Sequence, residues 1–205
     1  MKEVLFSPII INKYEVKSMH EIEIEFKNKL TKSEYNGLKN KWFPSEQPIT
    51  QINHYFETED FQLKENRAAL RIREKNRTFI ATLKEDQGDY FLETHLPLSK
   101  NDYHAWIDGH ILVKNDLFNR LKQLNIDIEQ LCYKGYLTTH RLQTKRDKMI
   151  IVLDHSEYNG QEDYEIELEA ENEEEGKKYF RNFLLEHHIN ERPSKNKIER
   201  FFETL

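Results

Sequence analysis

A single cysteine, Cys132, in 205 residues excludes an intrachain disulfide and a cysteine-cluster zinc site, and the residue reads as a small core side chain. Six glycines and five prolines are too few for a low-complexity linker, and no repeat of fixed period divides the chain. No apolar run approaches the ~18–20 residues that span a bilayer. The apolar stretch 4–11 is broken by Ser7 and Pro8 and is followed by no small-residue cleavage site, so the expected location is cytoplasmic, with no membrane partner. The formal charge of −6, from 31 basic and 37 acidic side chains, argues against a general nucleic-acid surface while leaving room for a basic pocket. What the chain does have is charge, at 33%, and aromatic residues, at 12%. The aromatics supply core material that a disordered, charge-rich chain lacks.

Eight segments have strand-like alternation or β-rich composition: 20–27, 49–58, 68–75, 78–85, 90–95, 135–143, 148–155 and 162–170. Helical patterns occupy 31–43, opened by a Thr31–Glu34 capping box, then 100–110, 112–125 with a short turn at 126–131, and 173–188. Turns as short as Lys75-Asn76-Arg77 join neighbouring strands as antiparallel hairpins. The expected class is α+β, an antiparallel sheet with covering helices. Residues 1–18 stand apart, because a clean strand begins after a second methionine, Met19. They read as an N-terminal extension, with an added terminus, an extra strand and an oligomerisation arm all compatible, and 19–205 reads as the single domain.

Alternation puts Glu21, Glu23, Glu25 and Lys27 on one face of the first strand and Ile22, Ile24 and Phe26 on the other. The last strand repeats this, with Glu165, Glu167 and Glu169 opposed to Ile166, Leu168 and Ala170. Basic strands intervene: Arg71 with Arg73, Thr82 with Lys84, and Thr139 with Arg141. Two arrangements accommodate these faces. One is a half-buried sheet with a solvated charged side. The other is a closed barrel with helices packed outside and the charges inside; such an interior has to be wet, because unpaired buried charge is prohibitively costly.

Glu23-Ile-Glu25-Phe-Lys27 is similar to the E-x-E-x-K signature of the CYTH family, or triphosphate tunnel metalloenzymes, which includes class IV adenylyl cyclases, thiamine triphosphatases and inorganic triphosphatases. Further elements follow in family order: Tyr55 to Thr58, Leu70-Arg-Ile-Arg73, Thr82-Leu-Lys84, Thr139-His-Arg141, Asp154 after Ile-Val-Leu, Glu165-Ile-Glu167 and Pro193-Ser-Lys195. The chain most resembles the stand-alone members from low-GC Gram-positive bacteria. The resemblance implies an eight-stranded antiparallel tunnel, dependence on a divalent metal and a triphosphate-bearing ligand. The extension 1–18 and the third glutamates, Glu21 and Glu169, depart from the family pattern.

Within that frame Glu23, Glu25, Glu165 and Glu167 are expected metal ligands, with Asp154 an additional one, since paired carboxylates are hard donors suited to Mg²⁺ or Mn²⁺. Lys27, Arg71, Arg73, Lys84, Arg141 and Lys195 are expected to contact phosphate, the arginines as bidentate forks. Glu23, Glu25, Lys27 and Lys84 form the expected catalytic set. Glu93 reads either as a weaker ligand or as an orienting partner for an arginine, and Lys195 and Arg200 read equally well as exposed helix charges. A clamp of this kind serves triphosphate hydrolysis, cyclisation of ATP and non-catalytic polyphosphate or nucleotide binding alike. Hydrolysis is the first expectation, because no constellation positions a ribose and a base. His187-His188 lacks a further ligand at metal spacing, and Trp42, Phe43 and Trp106 read as helix–sheet packing.

Overall fold

The computed structural model describes residues 19–88, 90–111 and 116–205, with the backbone alone for 19–23. The expected boundary's N-terminal side, 1–18, lies outside the described residues. The described residues form eight strands: β1 (Met19–Leu30), β2 (Ile49–Glu57), β3 (Ala68–Lys75), β4 (Thr78–Asp86), β5 (Phe91–Leu98), β6 (Cys132–Arg146), β7 (Met149–Tyr158) and β8 (Gln161–Ala170). The α-helices among the described residues are α1 (Lys32–Trp42), α2 (Gln62–Glu65), α3 (Lys100–Ile107), α4 (Asp116–Gln123), α5 (Glu173–Glu186) and α6 (Lys197–Phe202).

All strand pairs are antiparallel, and the sheet closes in the order β1-β5-β4-β3-β2-β6-β7-β8. β1 makes the closure by dividing its pairing, with Met19–Glu23 against β5 and Ile24–Leu30 against β8. The alternative of an open sheet with a solvated charged side is therefore excluded.

Helices on the outside explain why the apolar faces point outward. One cluster joins Leu142, Ile151, Leu153, Ile166 and Leu168 of β6–β8 to Tyr35 and Leu38 of α1 and to Phe180, Phe183 and Leu184 of α5. A second joins Leu70, Ile72, Ala81, Leu83 and Leu96 of β3–β5 to Leu63, Trp106, Leu117 and Leu121 of α2–α4. Each strand spends its alternate apolar residues on this contact, which leaves the other set facing the interior. α1 begins as the sequence reads: Glu34 N–H donates to Thr31 Oγ1 at 3.2 Å and Thr31 N–H donates to the Glu34 carboxylate at 2.7 Å. Trp106 and Phe43 are buried in these outer contacts.

Differences from the sequence reading are local. β5 and β6 run longer than expected, α3 and α5 end earlier, and the expected 112–125 helix is described from Asp116. Cys132 is a correction: it is half-buried at the start of β6, where its thiol donates to Gln130 O, and it belongs to none of the apolar clusters. Helices α2 and α6 are too short to show a period, and of the two only α6 matches the sequence reading, that of Arg200 as a helix charge. α6 closes one end of the barrel. Its Phe201 packs on Tyr55, Leu137 and Tyr158, all on inward-facing positions. It sits against Gly135, whose φ is 126° and where an added Cβ would lie 2.9 Å from the Phe201 ring. Gly135 adjoins the register shift between β2 and β6 at Tyr55/Phe56, so a bulge and a missing side chain together seat the helix.

Candidate active site: a charged tunnel

The barrel encloses a cavity of about 820 Å³. Its walls carry most of the residues expected from sequence: Glu25, Lys27, Arg71, Arg73, Lys84, Arg141, Glu165, Glu167 and, near α6, Lys195. Glu23 is in β1 with its backbone in register with Phe91. Asp154 is fully buried behind Arg141.

The charges divide into two groups. On the β1–β3–β4–β5 side, Lys84 lies 3.3 Å from Glu93 and 3.6 Å from Glu25, with its ammonium 4.2 Å from the Phe91 ring centroid. Lys27 donates to Glu25 at 3.1 Å and also to Asn196, and Arg71 approaches Glu93 at 3.7 Å. The buried Arg71 Nε makes no hydrogen bond among the described residues. Glu93 thus lies between cations. Burial pushes its pKa up, but Arg71, Lys84, His95 and Arg73 outweigh that and bring it down to about 2. A carboxyl with a folded pKa below its ordinary 4.5 contributes stability that is complete above that value and lost as pH falls through about 2. Glu93→Gln is therefore expected to flatten the acid limb of a melting-temperature titration; an unchanged limb would sever Glu93 from this role.

Arg73 differs from its neighbour. Among the described residues it makes no ion pair, and its Nε donates to Asn53 Oδ1 at 3.1 Å. Burial, then the nearby Arg71 and Arg141, lower its pKa from the ordinary arginine range to about 9. At neutral pH Arg73 is charged in both states and strained only in the folded one, so it destabilises the ligand-free fold. That penalty diminishes as pH rises above about 9. Arg73→Met is expected to raise the melting temperature without ligand and to weaken triphosphate binding. A fall in melting temperature would make Arg73 a structural residue.

On the β6–β7–β8 side the acids converge. Arg141 forks onto Asp154 at 2.8 and 2.6 Å, reaches Glu167 at 2.7 Å and approaches Glu169 at 4.0 Å. The Lys197 ammonium of α6 sits among three carboxylates, 3.0 Å from Asp154, 2.7 Å from Glu165 and in contact with Glu167. Arg200, one turn on, binds Glu165 at 3.0 Å and Asp163 at 2.9 Å. Burial pushes Glu167 up, but Lys197 and Arg141 hold it well below the usual carboxylate range. The same acids lift Lys197 far above the ordinary lysine range against its own burial.

Lys195 lines the cavity near α6. Its ammonium pairs with Glu203 on the exposed side of the rim, and Lys197 is the lysine that enters the acid cluster. A sequence signal for this existed in Asn196 and Glu199, whose capping contact (Asn196 N–H to Glu199 at 2.8 Å) starts α6. With that start fixed, Lys197 and Arg200, three residues apart, share one helix face.

Among the described residues no set of three histidine, cysteine or acid side chains stands as a ready metal cage; the acids are engaged by lysine and arginine instead. The donor chemistry nevertheless fits a hard divalent ion. Three carboxylates gathered round one ammonium supply oxygen donors and a surplus of negative charge.

The CYTH domain model matches residues 21–202. YjbK of Bacillus subtilis strain 168, whose name carries a provisional triphosphatase assignment, is 44% identical over 184 residues, spanning 89% of this chain and 95% of that one. A Bacillus halodurans crystal structure, provisionally named an adenylate cyclase, is 40% identical with a TM-score of 0.86, covering 89% of this chain and 98% of the other. HpAC1 from Hippeastrum, a provisional adenylyl cyclase with a dominant triphosphatase activity, shares 23% identity and a TM-score of 0.74 over 90% of this chain and 96% of its own, a likeness of fold.

Proposed function

This chain belongs to the CYTH family, and we propose that it is a divalent-metal-dependent hydrolase of triphosphate-bearing small molecules. The observation that carries this reading is the inward convergence of Lys27, Arg71, Arg73, Lys84 and Arg141 on one enclosed cavity. Carboxylates already pair with most of these cations, so it is the cations together with bound divalent ions that call for a highly charged anion; a triphosphate carries about −4 to −5 when mostly ionised, by phosphate second ionisations near pH 6.

The residues divide the work. Arg71 and Arg73 present planar forks to non-bridging oxygens, Arg141, whose Nε and one Nη are taken by Asp154, adds its remaining charge, and Lys27 and Lys84 add point charges where the chain of phosphates passes. Glu93 and Glu25 hold Lys84, and Glu25 also holds Lys27, so these cations are oriented before substrate arrives and cost little reorganisation. Mg²⁺ or Mn²⁺ would be held by carboxylates drawn from Glu23, Glu25, Asp154, Glu165 and Glu167, and supplies neutralisation of phosphate charge and activation of water. Enclosure by the barrel strengthens each of these contacts relative to water.

Product analysis tests the reading. With Mg²⁺ or Mn²⁺, inorganic triphosphate is expected to give phosphate and pyrophosphate, and ATP is expected to give no cyclic AMP. Cyclic AMP and pyrophosphate as the dominant products from ATP, with inorganic triphosphate intact, would make the chain a cyclase. Tight binding without turnover of either would make it a binding module.

A further inference from the structure

Phe61 combines two choices that its residue type disfavours. Its backbone is left-handed, with φ 60° and ψ 38°, a region that suits glycine and asparagine and strains a bulky side chain. The residue is 43% exposed and belongs to none of the apolar clusters. The surroundings impose this conformation. Phe61 N–H donates to Thr58 O at 3.2 Å, and Gln62 N–H donates to Thr58 Oγ1 at 2.9 Å. The buried Glu57 carboxylate accepts from the N–H groups of Thr58, Leu63 and Lys64 at 2.9, 3.0 and 3.0 Å. A rigid turn thus holds an aromatic ring out at a place where it stabilises little.

The place is the rim of the tunnel. Phe61 meets Phe202 of α6 edge to face, with centroids 6.1 Å apart at 77°, and the Lys64 ammonium is 5.7 Å from the Phe61 centroid. Phe61, Lys64, Arg67 and Phe202 line the same cavity as Arg71 and Lys84. Between them on β3 lies Ala69, on the same strand face as Arg71 and about 7 Å before it at the usual strand rise. A small side chain therefore separates the aromatic rim from the cationic interior.

We propose that Phe61 and Phe202 receive the base of a nucleoside triphosphate whose phosphates lie on the tunnel cations, which makes them specificity-determining residues. The proposal rests on the triphosphate reading of the tunnel and adds the substrate class. A bare triphosphate gains nothing from the rings, whereas a heterocycle stacks on them, with Lys64 and Arg67 flanking the passage between base and phosphates. Every base has a π-face, so stacking selects for a nucleoside and only weakly among nucleosides. Because the rings touch the substrate away from the reacting phosphate, their contribution enters binding and leaves the chemical step unchanged.

The test compares wild type, Phe61→Asn and Phe61→Tyr on ATP and on inorganic triphosphate with Mg²⁺. Asparagine accepts the left-handed backbone, so its variant keeps the turn. Phe61→Asn is expected to raise KM for ATP about tenfold, within the range one stacked base contributes, while KM for inorganic triphosphate and both kcat values stay within about twofold. Phe61→Tyr is expected to keep the wild-type KM for ATP. Equal changes for both substrates, or none for ATP, would overturn the proposal. So would a wild type that hydrolyses inorganic triphosphate and rejects nucleoside triphosphates, with the hydrolase reading left intact. If wild type hydrolyses nothing, that reading falls alone, and calorimetry with β,γ-methylene ATP and inorganic triphosphate is expected to give the same tenfold split, about 1.4 kcal/mol; equal affinities would sink the aromatic subsite.

Discussion

Glu167→Gln is expected to lower triphosphate turnover at least ~10²-fold, the scale of losing one principal electrostatic stabiliser. The substitution keeps shape and removes charge at the point where Arg141 and Lys197 meet. Asp154 still holds Arg141, and Asp154 and Glu165 still hold Lys197, so the barrel should remain folded and the loss should appear in kcat. Steady-state phosphate release with Mg²⁺ and Mn²⁺, read beside a melting curve, checks this. Wild-type turnover in the variant, or full wild-type activity in excess chelator, would remove the metal-assisted mechanism.

Lys197→Met carries the largest expected effect on stability. It takes a cation away from three carboxylates at once, two of them nearly inaccessible, Asp154 and Glu165. Breaking a buried pair from one side typically costs about 3–5 kcal/mol. A marked fall in melting temperature is expected in chelator, with most of it regained in Mg²⁺ or Mn²⁺, since a divalent ion restores the missing positive charge. The gain on adding metal should exceed that of wild type. A variant as stable as wild type in chelator would show that the ammonium does not balance these acids.

The parts legible in the sequence were those governed by strand alternation. Arg71 and Arg73 on β3, Lys84 on β4 and Glu165 and Glu167 on β8 could be assigned to one face because a strand's period is two, and the apolar partners of each then had to meet the helices. Closure was not legible from alternation alone, because it depends on β1 pairing with both β5 and β8, a fact about distant partners. Lys197 cannot be read from periodicity, because six residues of helix show no period, and only the Asn196–Glu199 cap marks its face. Phe61 and Phe202 escaped for a different reason. They lie far apart in the chain and outside any repeating pattern, and only α6 folding back over the barrel end brings their rings together.

The divided pairing of β1 bears on how the protein is made. Emerging early, β1 offers an edge to β5, but its second half has no partner until β8 has been synthesised, and Asn28 is tied to Asn190 across 162 residues of chain. Contacts of such long range make folding slow, and an unpaired strand edge waiting for its neighbour is a template for association with other chains. During that wait the alternating glutamates and lysine of β1 carry charge that opposes such pairing. The residues assigned to phosphate and metal chemistry in the finished barrel would thus also protect the nascent chain, and neutralising several of them together should lower soluble yield before it lowers any property of the folded protein.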